Sequence, residues 1–209
     1  MKTLLIIILT LTTIAASAQN NLIGITGGAN WTNVTSSNFL NNTDYRHGVS
    51  AGINYEYFIK ERFSIGSDVI YIQRGFTDDV IMPNGGEATT KYDYNYLAVP
   101  VKTGFYNGRN KIFDFVKVGL IPSLLIDAKT STPTFATEEI TNRVSKFDLA
   151  GLIEIGGGFK IVDKLWLTTS FIYQHSLTTI TNSEYFANSK IRHNGMSLNI
   201  GLKWALKNE

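Results

Sequence analysis

The sequence contains no cysteine, which excludes a disulfide scaffold, a thiol nucleophile and a cysteine-ligated zinc site. Proline is scarce, with four in 209 residues, and no Lys/Arg cluster stands out among 19 basic and 17 acidic side chains. A net charge of +2 without a basic patch implies no nucleic-acid partner. Beyond Ala18 no apolar stretch approaches the ~20 residues of a membrane-spanning helix, so a helical membrane protein is excluded. β-Barrels stay open, because their strands carry hydrophobicity only at every second residue.

What is present begins with an export signature. Lys2 supplies a positive start, Leu4 to Ile14 an apolar core, and Ala16-Ser17-Ala18 the small residues that signal peptidase requires. Residues 1–18 are therefore expected to be a cleaved signal peptide and 19–209 one mature domain. A membrane anchor or a buried N-terminal helix would not call for that order of charge, core and A-x-A site. No cysteine follows the core to carry a lipid anchor.

Eighteen Gly, twelve Phe, ten Tyr and three Trp favour strands, and alternation with period two recurs along the chain. Eight strands are predicted: Leu22–Thr32, Arg46–Phe58, Arg62–Phe76, Tyr92–Tyr106, Lys111–Ala128, Ser145–Ile161, Lys164–Thr179 and Ile191–Leu206. Each has room for the ~9–11 residues of a tilted membrane strand. The connections after the second, fourth and sixth are short: Ile59-Lys60-Glu61, Asn107-Gly108-Arg109-Asn110 and Val162-Asp163-Lys164. Asn-Gly is a tight-turn signal because both residues tolerate positive φ. The other connections (33–45, 77–91, 129–144 and 180–190) are long and polar. Such alternation predicts an all-β fold, an eight-stranded antiparallel up-and-down transmembrane β-barrel in the outer membrane. Its short turns and both termini would be periplasmic and its loops extracellular.

The two stripes of each strand differ in kind. One carries, among others, Val49, Ile53, Tyr57, Ile65, Val69, Leu97, Val101, Val116, Leu120, Ile153, Ile155, Phe171, Leu198 and Ile200, with no charge among the positions assigned to it. A charge there would cost roughly 2–4 kcal/mol at mid-membrane. The other stripe is Gly, Ser, Thr and Asn, together with Glu56, Asp68, Arg74, Lys102, Lys117, Asp148, Glu154 and Lys203. An eight-stranded barrel is just wide enough for side chains to fill it, so these acids and bases are expected to neutralise one another as a lumenal plug. A soluble barrel would instead turn the apolar stripe inward and present a Gly-rich, thinly charged surface to water, a poor arrangement. Aromatic girdles are predicted from Tyr57, Phe58, Phe63, Phe105, Phe113, Phe159 and Trp204 at the short-turn end, and from Trp31, Tyr71 and Tyr173 towards the loops.

Three stretches resemble a known family. Gly24 to Asn30 is similar to an opening G-x-K-x-G-x-N, with Thr26 in the Lys position, and Ile65 to Gly75 is similar to L-x-P-E-L-x-Y-x-x-K-G, with Asp68 and Arg74 at its acidic and basic places. Asn95 to Lys102 is close to a Y-L-E-I-P-L-x-x-K pattern, with Ala98 where an acid is common. These patterns resemble the PorT-type outer-membrane β-barrel family ("porin family protein", outer membrane protein beta-barrel domain) of Bacteroidetes-like bacteria. The resemblance implies an assembly signal at the terminal aromatic, Trp204, and names no activity.

Other polar features carry weaker chemistry. His175 and Ser176 are adjacent in a strand, so they face opposite sides and cannot share a hydrolytic site directly. His47 and His193 lack an identifiable third metal ligand. Gly156-Gly157-Gly158 lies within a strand and opens no helix, so close packing explains it better than phosphate binding. Asp78, Asp79, Glu87, Glu138 and Glu139 sit in the long connections, where solvation is the default and calcium or lipopolysaccharide contacts the alternative. The expectation is a non-enzymatic, cofactor-free and metal-free monomer. It would contact outer-membrane lipid and support the envelope or present loops to envelope or secretion proteins. A narrow pore or export component and a lipid-modifying enzyme are the alternatives.

Overall fold

The computed structural model describes residues 21–36, 43–81, 85–108, 111–133, 135–182 and 190–206; the signal-peptide reading of residues 1–18 lies outside them. The strands are β1 (Asn21–Ser36), β2 (Thr43–Lys60), β3 (Phe63–Ile81), β4 (Glu87–Ala98), β5 (Val101–Asn107), β6 (Ile112–Ser131), β7 (Glu138–Glu139), β8 (Phe147–Val162), β9 (Leu165–Ser176) and β10 (Ile191–Leu206). The helical element among the described residues is one 3-10 turn, Thr141–Arg143.

All ten strands belong to one antiparallel sheet. β4 and β5 form a single stave: both pair with β3 on one side and with β6 on the other. They are separated at Val99-Pro100 because proline has no N–H to donate to the ladder. Bonds from Asp68 N to Pro100 O (3.0 Å) and from Val99 N to Pro122 O (2.9 Å) carry the pairing across the gap. β7 only flanks the loop end of β6. Eight staves remain, and β1 closes the ring on β10 from Asn21↔Leu206 to Ser36↔Ile191. Closure leaves no unpaired barrel edge, the condition for strands to cross hydrocarbon.

The first five staves are longer than predicted, the last is as predicted, and β8 and β9 are shorter. β3 and β4 pair out to Ile81↔Glu87, so much of the polar connection 77–91 is a hairpin extending the wall. Beyond the hydrocarbon a strand needs no apolar face, which is why composition alone made it a loop. At the other end the turns are tight. Gly108 has φ 93° and Lys164 has φ 71°, the left-handed conformation such turns demand.

Alternation is nearly unbroken and assigns the faces. Ile25, Val49, Ile53, Val69, Leu120, Ile155, Leu198 and Ile200 project outward, whereas Glu56, Asp68, Arg74, Lys102, Lys117, Asp148, Glu154 and Lys203 are all buried inside. Tyr57, Phe63, Phe105, Phe159 and Trp204 lie outward at the short-turn end, as do Tyr71 and Tyr173 nearer the loops. Phe58 and Phe113 do not join that girdle. They point inward and pack with Tyr106, Phe115 and Trp166 across the short-turn end of the lumen. The opposite mouth is filled by Val34, Phe76, Tyr94, Ile140, Val144 and Ile180.

Candidate functional site: the charged lumen

The candidate site is the band of charge between these two apolar plugs. Nearest the short turns, Glu56 on β2 receives Lys203 of β10 at 2.8 Å and Lys117 of β6 at 2.9 Å on one oxygen. Tyr106 donates its hydroxyl to the same oxygen (2.7 Å) and Ser64 donates to the other (2.6 Å). Phe115 lies beneath both cations, with its ring centre 4.5 Å from Lys117 Nζ and 5.7 Å from Lys203 Nζ. A ring face is electron-rich, so it replaces part of the water these ammonium groups lost on burial.

One step further in, Lys102 bridges Asp68 (2.6 Å) and Glu154 (3.0 Å). Nearer the loops, Arg74 donates to Asp148 at 2.6 Å and to Gln174 at 3.0 Å, and its guanidinium lies 5.3 Å from the centre of the Tyr96 ring. Ser176 (2.8 Å) and Thr178 (2.9 Å) also donate to Asp148. The structure thus brings the eight predicted residues into three clusters in which every charge touches an opposite one. A buried charge is tolerated only on that condition.

Space for the long side chains comes from glycine. A Cβ on Gly104 would stand 3.0 Å from Lys117 Cγ, and one on Gly156 would stand 2.5 Å from the tip of Phe115. The triple glycine therefore serves packing at its inward members. Between the clusters lies a cavity of about 60 Å³ lined by Asn54, Asp68, Lys102, Glu154, Gln174 and Asn199, among others. That is room for a few waters and for no larger solute.

Five partners escaped the sequence reading: Ser64, Tyr106, Gln174, Ser176 and Thr178. Ser64 and Tyr106 share the parity of Asp68 and Lys102 on their own strands, so the signal was there, whereas β9 carries no Asp, Glu, Lys or Arg from which to read Gln174 and Ser176. His175 faces outward of its neighbour Ser176, which is buried against Asp148. His47 is exposed beside Trp31, whereas His193 is buried against Tyr94 and Tyr96, so the two do not meet. Among the described residues no three His, Cys, Asp or Glu side chains converge on a metal position. Loop acids find local partners: Asp79 accepts from Thr89 at 2.7 Å and Glu138 pairs with Arg143 at 2.6 Å. Outward charges were overlooked, among them Asp93, which alternates with buried Tyr94 on β4 and pairs with Arg46, and Asp114. Asp114 on β6 faces away from the lumen, two residues before Val116.

The same architecture recurs in solved membrane barrels. OprG from Pseudomonas aeruginosa matches with a TM-score of 0.54 and 13% identity over 90% of this chain and 96% of its own. Neisserial surface protein A matches with a TM-score of 0.51 and 10% identity, over 88% and 96% respectively. AlkL, determined by solid-state NMR in lipid bilayers, gives 0.52 and 13% over 91% and 92%. At such identities the likeness is one of fold. No curated protein matches the sequence. The family model described as "Outer membrane protein beta-barrel domain" matches residues 17–182, which span seven of the eight staves. The closed wall, the enclosed charges and this match agree: the chain belongs to the outer membrane protein beta-barrel domain family and is an outer-membrane β-barrel protein.

Proposed function

We propose that the protein is a closed, non-enzymatic, monomeric barrel that works from its surface, as a structural element of the envelope or through loops that bind envelope or secretion proteins. The observation that carries this is the filled lumen. Two apolar plugs and three ion-paired clusters stand in series between the mouths, with a cavity of only about 60 Å³ among them. A conducting pathway needs a continuous hydrated passage, and a lipid-modifying site needs a reactive group open to the wall. Ser176, the nucleophile candidate, is instead 1% exposed and bonded to Asp148.

The reading includes removal of residues 1–18 on export, placement in the PorT-type branch of the family, and an orientation with short turns periplasmic. The three motif stretches support the branch, and the contrast between connections of two to four residues at one end and long ones at the other supports the orientation. The test is planar-bilayer recording on the purified barrel, together with its incubation with phospholipid and lipid A. No unitary current step and an unmodified lipid pool are expected. Reproducible steps would establish a pore, and a deacylated or acylated product would establish an enzyme; either overturns the proposal. For orientation, Glu87→Cys should react with an impermeant maleimide on intact cells and Lys60→Cys should not.

A further inference from the structure

The outer wall is not uniformly apolar, and a depression in it is built from specific residues. The register places Asp114 of β6 opposite Gly157 of β8, Gly157 opposite Thr169 of β9, and Thr169 opposite Ile200 of β10. The row on the loop side of this line is Val116, Ile155, Phe171 and Leu198; the row on the turn side is Ile112, Phe159, Leu167 and Leu202. Gly157 and Thr169, beside Ile112, Phe159, Leu167 and Ile200, leave a groove of about 640 Å³ whose lining also includes Asp114, Lys111 and Lys160. Its floor is satisfied, because the Thr169 hydroxyl donates to the Asn199 carbonyl at 3.2 Å. Asp114 accepts from the Asn107 amide at 3.3 Å and remains exposed.

We propose that this groove seats one phosphatidylethanolamine molecule from the leaflet at the short-turn end. An acyl chain lies over Gly157 and Thr169 against Phe159 and Leu167. The headgroup meets charges of both signs: its phosphate faces Lys111, and its ammonium donates to Asp114. Lys160 shares the inward parity of Glu154 and Gly158 and holds Asp163 at 2.7 Å, which leaves Lys111 as the phosphate partner. Phosphatidylcholine has no N–H to give Asp114, and phosphatidylglycerol has no cation, so the chemistry selects the ethanolamine headgroup. Lipid here also explains an outward carboxylate beside hydrocarbon, a placement that a paired ammonium favours.

The experiment is native mass spectrometry of the purified barrel in detergent, titrated separately with palmitoyl-oleoyl phosphatidylethanolamine, phosphatidylcholine and phosphatidylglycerol. One tightly retained phosphatidylethanolamine is expected, with roughly tenfold preference over the other two, the size of one charge-assisted contact. Asp114→Asn should abolish the preference for headgroup, and Gly157→Leu should expel the chain and lower retention of all three. A Cβ at Gly157 would stand 3.0 Å from the Phe113 carbonyl oxygen and 4.0 Å from Asp114 Cα, so heat-modifiable gel migration is used to verify that Gly157→Leu folds. Equal retention of the three lipids, or a preference unchanged in both variants, would overturn the site. The leaflet assignment rests on the periplasmic orientation proposed above. Surface labelling of Lys60→Cys would overturn that orientation while leaving the detergent measurement intact.

Discussion

In the half of the lumen beside the short turns charges are shared, whereas in the half beside the hairpins one Arg–Asp pair stands within apolar packing. Glu56 alone neutralises Lys117 and Lys203, and Lys102 alone joins Asp68 to Glu154. Arg74 and Asp148, by contrast, form a single ion pair supplemented by neutral donors and acceptors from Gln174, Ser176 and Thr178. The difference concerns what remains after damage. Removing the centre of a shared network strands two cations in a low-dielectric space; removing one member of a supported pair strands one ion that keeps other hydrogen bonds.

The comparison is broken or sharpened by urea unfolding of the barrel in lipid, followed by tryptophan fluorescence. The largest loss is expected for Glu56→Ala, about 5 kcal/mol, the upper end for breaking a buried pair. Arg74→Ala should cost about 3 kcal/mol, since Asp148 retains the Ser176 and Thr178 hydroxyls. If the two variants lose equal stability, the distinction between the halves fails. Tyr106→Phe removes one donor to the Glu56 carboxylate and should cost about 2 kcal/mol. The double variant Arg74→Met with Asp148→Leu should lose less stability than Arg74→Ala, because it leaves no buried ion unpaired. No such rescue is expected for apolar replacement at Glu56 alone, where two lysines would remain.

The two faces also differ in how legible they were. Every lumenal charge could be found from parity: a residue spaced by two from an inward neighbour is itself inward. Which base would meet which acid could not be found. Lys203 and Glu56 are 147 positions apart, and Arg74 and Asp148 are 74 apart. Their meeting depends on the tilt and stagger of the closed barrel, which no single strand encodes. Phe58 and Phe113 show parity being outweighed by composition. Both share the parity of inward Glu56 and Phe115, yet aromatic type near a strand end suggested the girdle. The hairpin beyond Phe76 was missed for a related reason, since polar residues outside the hydrocarbon carry no period-two signal to read.

By itself, the sequence determined that alternating strands joined by short and long connections would form a barrel, and which stripe of each strand would be enclosed. That information is local, because side-chain direction in a strand follows from position two residues away. Only the tertiary structure decided the pairings across the lumen, the inward turn of the aromatic plug and the groove at Asp114 and Gly157. Those depend on register between staves distant in the chain, and closure of the sheet is the physical event that sets it.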